Sequence, residues 1–165
     1  MNATRKTAQL QIRVSEAQKE ALRREAGRAG VSMSDWVLCR VFPPARETFQ
    51  AVLREIGAAR EPGFALAELN ELLTGLSSQE LALAVSEPPR IELEPYRLAY
   101  VAAMVEQAAT TKGGEAPAWT NDVPALAEPV FGSSLESLRL HLLTHSPPPF
   151  RRRNIFIDSS IGDRA

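Results

Sequence analysis

Residues 8–14 read Ala-Gln-Leu-Gln-Ile-Arg-Val. Successive side chains of an extended chain point to opposite sides, so Leu10, Ile12 and Val14 share one face and Gln9, Gln11 and Arg13 the other. The polar face carries the two side-chain types that pair bidentately with base edges in the major groove, Gln with adenine and Arg with guanine. A lone strand also leaves unpaired backbone groups along its edges. Its meaning therefore depends on the residues C-terminal to it.

Ser15 stands directly after the strand and Gln18 three residues later, the arrangement in which hydroxyl and amide cap a helix start reciprocally. A helix is expected from Glu16, with Ala21, Leu22, Ala26 and Ala29 along one side and a left-handed stop at Gly30. Ser32 with Asp35, or Ser34, then caps a second helix through Trp36, Val37, Leu38, Val41 and Phe42, which Pro43-Pro44 ends. Apolar residues run nearly all the way round this second helix. That suits the centre of an interwound dimer and not a surface helix.

One strand and two short helices bury too little surface to fold alone. Antiparallel pairing with the same strand of a second copy would satisfy the edge and bury Leu10, Ile12 and Val14 with Leu22, Trp36 and Val37 as a shared core. The resulting ribbon would present Gln9, Gln11 and Arg13 twice, about a two-fold axis. The plainer alternative is an edge strand and helical hairpin of a larger domain.

In this order of strand, capped helix, Ala-Gly-Val-Ser-Met-Ser-Asp-Trp-Val and second helix, residues 7–42 resemble the ribbon-helix-helix family of β-ribbon DNA readers. The resemblance implies base contacts from Gln9, Gln11 and Arg13. It also implies a phosphate held by backbone amides around Ser32, Met33 and Ser34 at the start of the second helix. Arg5 and Lys6, ahead of the strand, would add backbone contacts as a basic arm.

Charge is distributed in keeping with this. The chain of 165 residues has a net charge of -1, yet residues 1–42 hold eight Lys/Arg against four Asp/Glu, and the remainder eleven against sixteen. A basic module precedes an acidic body. A single cysteine, Cys39, forms no internal disulfide, and neither a membrane-spanning apolar run nor a secretory leader is recognised; a cytoplasmic location is expected.

The expected fold is mainly α, in three parts: a ribbon-helix-helix module at 1–42, a helical region at 43–112, and a linker, short helix and extended basic C-terminal arm at 113–165. Helices are read over 45–60, 64–76, 79–85 and 95–109, a linker over 112–117, and a helix over 135–144 that Pro147-Pro148-Pro149 ends. Residues 150–157 read as a basic strand, either an arm detached from the helices or folded back onto them. Trp119, Phe131, Arg151, Arg152, Arg153, Ile155 and Ile157 are the candidate partner-binding residues of the C-terminal part.

No constellation sets a base beside a nucleophile, so no enzyme is expected. His141 and His145 share a helix face, but Leu142 follows where a metalloprotease needs Glu, and a structural site lacks two further ligands. No metal or cofactor is expected. The expected function is a homodimeric, sequence-specific transcriptional repressor bound to double-stranded operator DNA. Its most concrete version is an autoregulating antitoxin with a toxin as protein partner, since residues 138–158 faintly resemble antitoxins of nucleotidyltransferase-like toxins. The alternatives are a plasmid mobilisation or partition accessory protein of ribbon-helix-helix type, and a protein-interaction module without specific DNA binding.

Overall fold

The computed structural model describes residues 11–41 and 44–158, which fall into two compact units divided between Pro43 and Pro44. Both are mainly helical.

In the first unit, α1 (Glu16–Ala29) and α2 (Met33–Val41) pack as a hairpin. The reciprocal cap forms: Ser15 N–H donates to Gln18 Oε1 at 2.9 Å and Gln18 N–H to Ser15 Oγ at 3.3 Å. Gly30 ends α1 at φ 68°, a conformation that costs a residue with a Cβ but not glycine. Asp35 N–H donates to Ser32 Oγ at 3.0 Å, fixing the first turn of α2.

The second unit is built round α6 (Pro95–Thr111), opened by a proline whose missing N–H is not needed in a first turn. Helices α3 (Ala45–Ala58), α4 (Gly63–Gly75) and α5 (Ser78–Ala84) gather on one side of it. Phe49, Leu53 and Ile56 of α3, Leu69 and Leu73 of α4 and Leu81 of α5 meet Val101 and Val105 of α6 there. Each such fully buried side chain contributes roughly 1.5–3 kcal/mol by leaving water. Polar groups tie the ends of these helices. Gln50, buried in α3, donates to Pro88 O at 3.1 Å and accepts from Arg90 N–H at 3.0 Å. Lys112 Nζ donates to Thr74 O at 2.9 Å, placing a cation at the carbonyl end of α4.

On the other side of α6 lies the C-terminal third, where two expectations are corrected and one is extended. A 3-10 turn (Glu136–Leu138) precedes α7 (Arg139–His145), so the expected helix over 135–144 forms only from Arg139. The proline run does follow the end of α7 at His145, and Pro148 and Pro149 in addition open a helix, α8 (Pro148–Arg151), because their fixed φ suits a first turn. Residues 150–157 are not a detached strand. Phe150, Ile155 and Ile157 join Ala99 and Ala103 of α6 in a second apolar cluster. Only β2 (Ile155–Phe156) is extended, paired parallel with β1 (Val130–Phe131) in the register Val130 to Ile155. The alternation of apolar residues in the segment is satisfied within its own chain.

Arg153 holds this closure. It is 1% exposed and donates from Nη1 to Glu106 Oε2 at 2.9 Å and to Pro149 O at 2.8 Å, and from Nη2 to Thr120 O at 2.6 Å. Arg152 pairs with the same Glu106 carboxylate. Asn154, at φ 59°, turns the chain into β2 and donates to Leu126 O at 2.6 Å.

Candidate nucleic-acid interface

The interface inferred from residues 8–14 falls partly outside the described residues: Arg5, Lys6, Gln9 and Leu10 lie there. Gln11, Ile12, Arg13 and Val14 are described. They carry no regular secondary structure in the single chain and are all exposed. Ile12 and Val14 stand 62% and 44% exposed, although both are apolar and alternate in the sequence. Among the described residues nothing covers the apolar side of this segment.

The helices behind it are equally uncovered. Ala26 is the only buried residue among the described residues of the first unit. Val31, Met33, Leu38 and Val41 are exposed, and a shallow groove opens between α1 and α2, lined by Val14, Gln18, Ala21, Leu22, Glu25 and Trp36. Leu22, Trp36 and Val37 are half-buried. The sequence pattern points to these three residues but not to the groove itself; the all-round apolar character of α2 is the signal for the exposure of Met33, Leu38 and Val41.

Around this apolar surface the charges are mostly basic. Arg23 and Arg28 pair with Glu20 and Glu25 at 2.9 Å each, both at the solvent, where such pairs contribute little. The Arg40 guanidinium lies over the Trp36 ring, 5.0 Å from its centroid. Ser32, Met33 and Ser34 are exposed at the start of α2. Its first-turn amides and dipole make an electropositive end there, moderated by Asp35, whose carboxylate accepts from Ser32 Oγ at 2.7 Å.

The residues expected to bind a partner are spread through the second unit. Arg153, Ile155 and Ile157 are buried and occupied as described above. Trp119, in a 3-10 turn (Ala118–Thr120), packs against the main core and donates from Nε1 to Val85 O at 2.8 Å. Phe131 stacks on Phe156, with ring centroids 5.1 Å apart, beneath the Arg139 guanidinium. Arg151 and Arg152 remain exposed, the latter donating to Asn121 Oδ1 at 3.3 Å.

His141 and His145 do share a face and stack at 4.1 Å between centroids, with His141 Nε2 3.3 Å from Asp158. Among the described residues no three His, Cys, Asp or Glu side chains gather in a group able to hold a metal ion. No helix among them is long and apolar enough to cross a membrane.

Compared with known proteins, residues 4–58 match the model of the NikA-like family, described as mobilization protein NikA. The match takes in the whole of α1 and α2 and ends on the last residue of α3. No curated protein matches the chain, and no solved structure does. Over its first third, then, the chain is similar to a family of mobilisation proteins.

Proposed function

We propose that the protein is a homodimeric, sequence-specific DNA-binding accessory protein of plasmid mobilisation, built on a ribbon-helix-helix module. The observation that carries this reading is the uncovered first unit. Its apolar residues Ile12 and Val14 and its groove at Leu22 and Trp36 stand uncovered among the described residues. A two-fold partner covers both at once, pairing residues 8–14 of the two copies antiparallel and closing the ribbon edge. Gln9, Gln11 and Arg13 then project from one face of the ribbon into the major groove, and the amides of Met33 and Ser34 meet the flanking phosphates.

The family match supports mobilisation over the autoregulating antitoxin. On this reading the target is a transfer site on DNA.

The test is a mobility-shift series with the full chain and duplex fragments tiled across the DNA that flanks its own gene, at physiological salt. One fragment should be held in preference to the rest, and Arg13→Ala should weaken that complex by about 1–3 kcal/mol while leaving the dimer intact. Equal retention of every fragment, or an Arg13→Ala variant that binds as well as wild type, overturns the reading. Equal, shallow salt dependence on all fragments would instead mark a protein-interaction module.

A further inference from the structure

The second unit carries two exposed helix faces of complementary character. On α7, Leu140 is 73% exposed and Leu143 also lies at the surface, while Leu142 alone anchors the helix inward. Arg139 precedes them, and its ion pair among the described residues is an exposed one to Glu136 at 3.6 Å. On α4, Phe64 is 95% exposed and is followed at one and two helical turns by Glu68 and Glu71, both exposed. Spacings of four and then three residues set the three side chains on one stripe. Neither glutamate makes an ion pair among the described residues. One face is apolar with a cation beside it; the other is an aromatic anchor with two anions beside it.

We infer that α7 of one copy docks on α4 of a second copy, Leu140 and Leu143 against Phe64 and Arg139 against Glu68 and Glu71. Apolar side chains this exposed are ordinary singly but informative when a charge pattern of opposite sign is available to meet them. The occupant is a second copy because this chain itself supplies the complementary stripe. The contact is heterologous, using a different patch on each side. With dimers already joined through their first units, it links neighbouring dimers in a row. Adjacent sites on a duplex would then fill cooperatively. The contact itself does not depend on DNA; only its extension into a row of dimers on a duplex rests on the function proposed above.

Sedimentation velocity of the full chain over a concentration series tests it, with circular dichroism to establish that each variant is folded. Wild type should associate beyond the dimer as concentration rises, and Leu140→Glu should weaken that step by about tenfold or more while leaving smaller species unchanged. Arg139→Glu should weaken it too, and adding Glu68→Arg and Glu71→Arg to that variant should restore it. If Leu140→Glu leaves only monomer at every concentration while wild type forms a growing series of species, the docking stands and the strand-paired dimer falls. Wild type and Leu140→Glu sedimenting alike at every concentration, or no restoration by the folded charge-swapped variant, overturns the inference.

Discussion

Arg153 and Glu106 lie 47 residues apart in sequence and 2.9 Å apart in space, joining the C-terminal segment to the middle of α6. Burial pulls the Arg153 guanidinium below its usual pKa, and the hydrogen bond from Arg153 to the Glu106 carboxylate opposes that pull. Two backbone carbonyls, of Pro149 and Thr120, also depend on the same side chain. Truncating one partner of a buried pair leaves the other uncompensated, which is more costly than the pair is favourable. Glu106→Gln should therefore destabilise the protein by about 3 kcal/mol, and Arg153→Met by a similar amount through its orphaned carbonyls. Urea denaturation followed by circular dichroism reads both, and a loss near zero in either variant would mean that the segment closes on its apolar contacts alone.

The chain has two tyrosines, Tyr96 and Tyr100. Both phenols are pushed upward by burial, Tyr100 to about 12, where its ring meets Phe150 edge-on at 5.2 Å. A phenol whose folded pKa lies above its unfolded value near 10 stabilises fully below that value. The contribution is lost as pH rises through about 12. An absorbance titration of phenolate should accordingly show no ordinary tyrosine in the folded protein, and Tyr100→Phe should make alkaline unfolding less steep.

Trp36 and Trp119 are the two tryptophans, one in each unit. Trp119→Phe removes the bond to Val85 O and should cost about 1 kcal/mol. It also leaves Trp36 as the sole indole, half-buried beside an open groove. As the protein is concentrated through dimerisation, the emission of this variant should shift to the blue. A spectrum independent of concentration, in a sample that sedimentation shows to be dimerising, would place the dimer contact elsewhere.

Ser15 and Ser77 each close a capping box, with Gln18 and Glu80. Ser15→Ala should lower stability by about 1 kcal/mol, read as a fall in midpoint temperature. The Glu80 carboxyl is held below the usual carboxylate range by the side chain and then the backbone of Ser77. Its contribution is present above the unfolded value, near 4.3, and is lost as pH falls through the lower folded one. Glu80→Gln keeps the reciprocal geometry without the charge, so it should flatten the acid limb of the stability profile.

Local signals in the sequence are legible where the cause is local. Ser15, Gln18 and Gly30 mark α1 to the residue because cap and stop are set within one turn. Pro95 marks α6 for the same reason. The proline run at 147–149 reads as a stop, and α7 does end before it at His145; that it also opens α8 is not legible, since prolines after one helix and prolines in the first turn of the next are the same signal. Arg151, Arg152 and Arg153 read as one basic tract. What distinguishes them is Glu106 and two carbonyls brought from distant positions, and nothing in the triplet announces which of the three will be enclosed. At the candidate interface, the patterning of Ile12 and Val14 is readable, whereas the breadth of the exposed groove depends on how α1 crosses α2.

Helix α6 is enclosed from both sides, with Ala99, Val101, Ala102, Ala103 and Val105 wholly inaccessible to solvent. The two enclosing layers differ in kind: three helices on one side, and on the other a thin layer of loops, α8 and a two-stranded pairing. The thinner layer can peel away while the helical side stays assembled, so backbone amides of the C-terminal third should exchange their hydrogens through a partial opening of lower free energy. Those at the centre of α6 should wait for the whole unit to come apart. The helix is thereby the last part of the second unit to lose its memory of the fold.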